Sequence, residues 1–244
     1  MPEQLWFTAF LNHYLAAPVT KLMIAVGLPP THPEAPIANY VAMQVLTALI
    51  LLALFIAIRT RLSPENPGTL QHLAEGLEGF IDNQCEEVIG HKTPQFVTFL
   101  STLFIFILLM NLLGLIPTLE APTATVAVPF GLAIVAFIYY HLHGIKKHGP
   151  LKYGKHFFGP MPVLAPLMLP IELISHSARL LSLTVRLWAN MFAGDLITLV
   201  FLSLVPLLLP VAFLGLHIFV SLLQAYIFTL LAIVYLQGAV ADEH

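Results

Sequence analysis

The sequence predicts an all-α integral membrane protein: about five membrane helices, the last two forming a long, strongly tilted hairpin, with an added amphipathic interfacial helix. Three observations carry that prediction. Hydrophobic residues make up 58% of the 244 and charged residues 9%, against roughly 25% charged in soluble domains, and mean hydropathy is +0.87. Four segments free of Asp, Glu, Lys and Arg, residues 35–58, 93–119, 121–145 and 196–241, reach the about 20 residues that a helix needs to cross a bilayer. A further stretch, about 164–204, is apolar apart from Glu172, Arg179, Arg186, Asp195 and one histidine.

The hydrophobic spans consume nearly the whole chain, which leaves no room for a separate soluble catalytic domain. Residues 35–244 read as a single membrane-embedded domain, and residues 1–34 as an N-terminal outer or interfacial segment. The single cysteine, Cys85, excludes an internal disulfide and offers no metal cluster. The start, Met1-Pro-Glu-Gln, lacks the basic region and compact apolar run of a signal peptide, so it is expected to belong to the mature protein. No internal repeat and no low-complexity segment stands out.

The first span, 35–58, is followed by Arg59 and Arg61. In residues 69–90, Leu70, Leu73, Leu77, Phe80, Ile81 and Val88 recur at helical spacing while Glu75, Glu78, Asp82 and Glu86 take other faces, which predicts an amphipathic helix on the membrane surface. Residues 4–26, with Trp6, Phe7 and Phe10, form a weaker case of the same kind. The spans 93–119 and 121–145 are separated near Glu120. The last apolar run divides at Val205-Pro206-Leu207-Leu208-Leu209-Pro210, where two prolines remove helix donors and favour a turn.

Basic residues orient the spans. Of the ten Lys and Arg, Arg59, Arg61 and Lys92 fall in one loop and Lys146, Lys147, Lys152 and Lys155 in another, and the positive-inside rule puts both loops in the cytoplasm. Five crossings then leave the N-terminus outside and the C-terminus inside, as expected for the inner membrane of a bacterium.

The fourth span carries the charges. Positions four and seven apart return to nearly one helix face, so Glu172, Ser175, Arg179, Ser182, Arg186 and Asn190 form a single polar line. About 38 residues at about 1.5 Å each extend about 57 Å, nearly twice a hydrocarbon core of about 30 Å, so this helix must tilt steeply or break. The last span carries a second line, His217, Gln224 and Tyr235. Arg186 is the most telling residue, because residues 180–194 hold no other formal charge. Placing an Arg at a helix centre costs about 2.5–3.5 kcal/mol on insertion scales, and such residues face a wet cavity or a partner. Its guanidinium stays protonated, whereas Asp195, His217 and Glu172 can exchange protons. By the assigned topology Asp195 and His217 lie in the outer half of the membrane and Glu172 in the inner half. Titratable groups on either side of a fixed cation are what two separate proton half-paths need.

Single polar residues carry plainer expectations. Arg186 and Asp195, nine residues apart, point to opposite helix faces. Arg179 is expected to snorkel to the inner surface. Gln224 or Tyr235 alone would be an interhelical hydrogen-bonding group, and His217 alone would be packing; its pairing with Asp195 is what raises it. His141, His143 and His148 read as a cluster flanking a cytoplasmic loop, without the acidic or cysteine ligand that a metal site would add.

The run Ser182-Leu-Thr-Val-Arg186-Leu-Trp-Ala-Asn190-Met-Phe-Ala-Gly194-Asp195-Leu resembles the signature of subunit a of the rotary F-type ATP synthase, Arg-Leu-x-x-Asn-Met-x-Ala-Gly-(Glu or Asp)-Leu. The run from His217 through Gln224 to Tyr235 resembles that family's last helix, and Leu109-Met110-Asn111-Leu112-Leu113-Gly114 is similar more weakly. The resemblance covers about residues 35–244. It implies a stationary subunit against which a ring of c subunits turns, held by peripheral stalk b subunits within the F1F0 complex and surrounded by lipid, with no cofactor, no metal and no nucleic acid. It implies that Arg186 is the essential arginine facing the ring carboxylates. Asp195, His217 and Gln224, with Asn111, would form the outer half-channel, Glu172 and Ser175 the inner one, and Asn190, Ser182 and Tyr235 would support them. Gly114 stands where many bacterial members carry an acidic residue, so no acidic role transfers there.

The chain has no Gly-x4-Gly-Lys-(Ser/Thr) run, which fits a proton-moving part whose ATP is made by other subunits. A stand-alone ion-coupled transporter or channel would also hold charges at mid-membrane, but such folds often show paired repeats and broken helices in both halves. An intramembrane zinc protease would need His-Glu-x-x-His or an equivalent, which is absent.

Overall fold

A computed structural model describes residues 4–63, 68–90, 94–116, 118–156, 165–204 and 208–241. Among them the regular structure is entirely helical. The helices are α1 Trp6–Ala25, α2 Asn39–Thr60, α3 Thr69–Ile89, α4 Pro94–Leu113, α5 Ala127–His148, α6 Pro150–His156, α7 Ala165–Leu204 and α8 Leu208–Val240, with one 3₁₀ turn at Pro122–Ala124. Five of them are long and apolar enough to cross a membrane: α2, α4, α5, and the greater parts of α7 and α8. That matches the number the sequence predicts.

Helix α8 is the hub, packed against α3, α4, α5 and α7. Its buried face includes Ala225, Ala232 and Ala239, and α5 contributes Ala133 and Ala136. Small residues at these crossings let the backbones approach, which matters where lipid competes equally well for large apolar side chains. Ile107 and Met110 of α4, Leu187 and Met191 of α7, and Ile233 and Leu236 of α8 fill the centre. Lys147, near the end of α5, donates a hydrogen bond from Nζ to the Val240 carbonyl at 2.5 Å, satisfying a helix C-terminus with a cation. Helix α2 is peripheral: Val45, Leu49, Leu52, Phe55 and Ile56 are exposed, as expected of a lipid-facing surface.

Helix ends depart from the charge-free runs, for local reasons. Residues 35–38 stay outside α2. Pro36 biases Ala35 away from helix, and the backbone of Ile37 is held on both sides by Asn12 of α1, Nδ2 to O at 3.1 Å and N to Oδ1 at 3.0 Å. Helix α4 stops at Leu113, six residues early, and turns at Gly114, where a Cβ would come within 2.7 Å of Ala121 Cβ. A side chain at 114 would therefore require the Ala121 segment to shift. The third span does not start at residue 121: Pro122 opens the 3₁₀ turn, and α5 begins at Ala127.

The amphipathic helix occurs as α3, but its apolar residues do not share one environment. Ile81 and Cys85 are buried, with Leu77 and Val88 packed beside them, whereas Leu70, Leu73 and Phe80 are exposed. Helix α1 buries Phe7 and leaves Trp6 and Phe10 exposed. At the expected hairpin turn, residues 205–207 lie outside the described residues, as do Lys92 and Pro117. Pro210 is not in a turn; it falls within the first turn of α8, where its missing N–H would have no intrahelical acceptor.

Candidate functional site: a fixed cation between two polar clusters

Helix α7, 40 residues long, extends about 60 Å at about 1.5 Å per residue. Leu183, Leu187 and Met191 face the bundle, while Leu181, Val185 and Phe192 are exposed. Arg186 sits at the seam between these faces, half-buried. Its Nη2 donates to Ser182 Oγ, one turn earlier, at 3.2 Å. Among the described residues, no carboxylate pairs with it. Asp195 is turned to a different neighbour, as nine residues of helix require.

That neighbour is His217 on α8. Asp195 Oδ1 lies 3.9 Å from His217 Nε2, close enough for charge pairing but beyond hydrogen-bond length. His217 is buried, and its Nε2 has no hydrogen-bond partner among the described residues. Beside it is a cavity of about 190 Å³ between α7 and α8, lined in part by Asn190, Gly194, Thr198 and His217. Asn190 therefore opens toward the same space as His217.

Along α8 the polar line continues inward through Ser221 to Gln224, both buried. Asn111 of α4 meets it: its Nδ2 donates to the Ser221 carbonyl at 3.3 Å, and its Oδ1 accepts from Thr123 Oγ1 at 2.7 Å. Asn111 thus ties α4, the 3₁₀ turn and α8 together. Ser221 and Thr123 escaped the sequence reading, although Ser221 stands four residues after His217 and three before Gln224, which is one helix face.

A second cluster lies toward the end of the bundle that bears Lys146 and Lys147. Glu172 Oε1 is 3.2 Å from His176 Nε2, and His176 Nδ1 is hydrogen-bonded to Tyr140 Oη at 3.0 Å. His141 Nδ1 is hydrogen-bonded to Tyr153 Oη at 2.7 Å, and the rings of His141 and His176 are 4.9 Å apart. Burial pushes the Tyr153 hydroxyl above its ordinary pKa, an effect that Arg179 opposes. Ser175 is half-buried on the same stretch of α7. Arg179 does not reach for the surface as expected: its guanidinium lies over the Tyr235 ring, 5.2 Å from the centroid, a cation–π contact that joins α7 to α8. Tyr235 therefore belongs to this cluster, away from His217.

The expected histidine cluster separates. His141 enters the network just described, whereas His143 bonds the Tyr139 carbonyl of its own helix at 2.9 Å and packs on Phe96. Among the described residues, no three His, Cys, Asp or Glu side chains converge as metal ligands.

The family described as ATP synthase A chain matches residues 41–237. An ATP synthase subunit a of Koribacter versatilis (strain Ellin345) is 56% identical over 244 residues, covering 100% of both chains. One of Solibacter usitatus (strain Ellin6076) is 52% identical over 233 residues, 96% of this chain and 99% of its own. With a match across most of the chain and relatives this similar along their full length, the chain belongs to the ATP synthase A chain family.

Proposed function

We propose that the chain is the proton-translocating stator subunit of the F0 sector of an ATP synthase, with two offset half-channels that serve a rotating c-ring and Arg186 between them. The observation that carries this reading is the state of Arg186: a permanent cation at a membrane helix seam, oriented by Ser182, with no carboxylate of its own chain among the described residues to neutralise it. A charge so placed needs its counter-charge from another chain, and a carboxylate moving past on a ring supplies it. Within the complex the chain binds no nucleotide; ATP is made by other subunits.

The outer half-channel comprises Asp195, His217 and Gln224, with Asn111 holding α8 in place and Asn190 lining the cavity beside His217. The inner one comprises Glu172 and Ser175, with Tyr235 supporting it. A proton entering from outside passes by way of Asp195 and His217 to a ring carboxylate, which becomes neutral and can turn through lipid. After almost a full turn the carboxyl loses its proton toward Glu172, and the resulting anion is drawn past Arg186. Direct proton flow between the half-channels is opposed by the guanidinium. The chain is placed in a bacterial inner membrane with its N-terminus outside and its C-terminus in the cytoplasm, in contact with stalk b subunits.

Mild-detergent purification through a tag on this chain tests the reading. A c-ring and stalk chains are expected to travel with it, and proton transport should require them. Ion transport by the chain reconstituted alone would instead make it a stand-alone transporter.

A further inference from the structure

We propose that His176 is a proton-carrying member of the inner half-channel, a buried partner with which Glu172 shares its proton; this rests on the half-channel reading above. The Glu172 side chain is 34% exposed, while the His176 side chain 3.2 Å away is 11% exposed. Each imidazole nitrogen of His176 has a partner of its own, Nε2 the Glu172 carboxylate and Nδ1 the Tyr140 hydroxyl. Both partners can exchange a proton with the ring, which distinguishes this histidine from one satisfied by backbone groups. Aligned in this way, the ring can accept a proton without moving.

The transfer is a simple exchange. When Glu172 is protonated, its O–H donates to Nε2 of the neutral ring, whose Nδ1–H donates to Tyr140 Oη. The carboxyl O–H bond breaks as the Nε2–H bond forms, leaving a carboxylate beside an imidazolium, and the reverse step returns the proton to Glu172 for release to water. The tyrosine hydroxyl can accept in this state and donate to Nδ1 in the other tautomer. The groups that face His176 are Glu172 and Arg179 from its own helix, Tyr140 and His141 from α5 with Tyr153 of α6 behind His141, and Tyr235 of α8 beside Tyr140. Gly144 leaves room for this arrangement: a Cβ there would lie 2.9 Å from Tyr153 Cζ.

The test is proton flux through the assembled complex in inverted vesicles carrying His176→Gln, which keeps a donor toward Glu172 but has no imidazole to protonate. Flux should fall severalfold, and its dependence on the pH of the Glu172 side should flatten. In a Glu172→Gln background the same change should have little further effect. Normal flux and pH response in His176→Gln, or an equal proportional loss with and without Glu172, would overturn the proposal. ATP-driven pumping by Arg186→Ala, run in parallel, separates the two readings: if that variant still pumps, the stator assignment fails, and if it does not pump while His176→Gln pumps normally, only the role of His176 does.

Discussion

His217 occupies the space that a side chain on Gly194 would need: a Cβ at residue 194 would lie 2.9 Å from His217 Nδ1 and 3.1 Å from Cε1. The glycine next to Asp195 is therefore what the present seat of His217 requires. It lets the imidazole of α8 press against α7 backbone and brings Nε2 to within 3.9 Å of the neighbouring carboxylate. The requirement is set by contact between helices, since Gly194 is in ordinary helical conformation.

Gly194→Ala should displace the His217 ring without dismantling the bundle. Overpacking of this size costs about 1–3 kcal/mol, which a multi-helix complex should survive, but a misplacement of about 1 Å at a transfer site can cost up to about a hundredfold in rate. ATP-driven acidification of inverted vesicles should drop by at least about tenfold with the complex still assembled. Near-normal acidification would mean that His217 does not need its present position.

Asn111→Leu should act mainly on stability. It removes the acceptor of the Thr123 hydroxyl and the side-chain donor to the Ser221 carbonyl, both buried, and an unsatisfied buried polar group costs about 1–3 kcal/mol. The detergent-solubilised complex should lose its thermal resistance at a lower temperature than the parent, as read by the midpoint of subunit dissociation. An unchanged midpoint would show that the link between α4, the 3₁₀ turn and α8 is dispensable.

Cys85 should resist alkylation. It is fully buried, and burial chiefly, with a smaller contribution from the Asp82 charge, raises its thiol pKa to about 11. Thiolate is the reactive form, so at pH 7 to about 8 almost none is present. Maleimide labelling of the native complex should be slow in that range, increase as the pH approaches 11, and be rapid after denaturation. Fast labelling at neutral pH would show that α3 leaves its seat on the bundle.

What could be read from the sequence was what repeats along a helix. The number of spans, the amphipathic α3 and the polar line of α7 follow from spacing and from the scarcity of charge, and the order of the spans puts Asp195 and His217 at one end of the bundle. Contacts between distant segments could not be read this way. His176 was passed over as an unremarkable histidine because its partners, Glu172 apart, come from α5, 36 residues earlier for Tyr140. Arg179 looked free to snorkel because nothing local signals the Tyr235 ring. Helices do not start at residues 35 and 121, which a charge-free run does not show: it does not distinguish a helix from the irregular segment leading into it, where Pro36 and Pro122 decide. Gly114 and Gly194 carry no helical signal at all, and only the Ala121 and His217 atoms facing them explain why they are glycine.

The central claim is that Arg186 is a working charge, and ATP-driven proton pumping by Arg186→Ala in inverted membrane vesicles, with assembly of the complex measured alongside, tests it most directly. The account predicts a complex that assembles and does not pump. Pumping near the parent rate in an assembled complex would contradict it, because a ring carboxylate would then pass the stator without the cation that the mechanism requires.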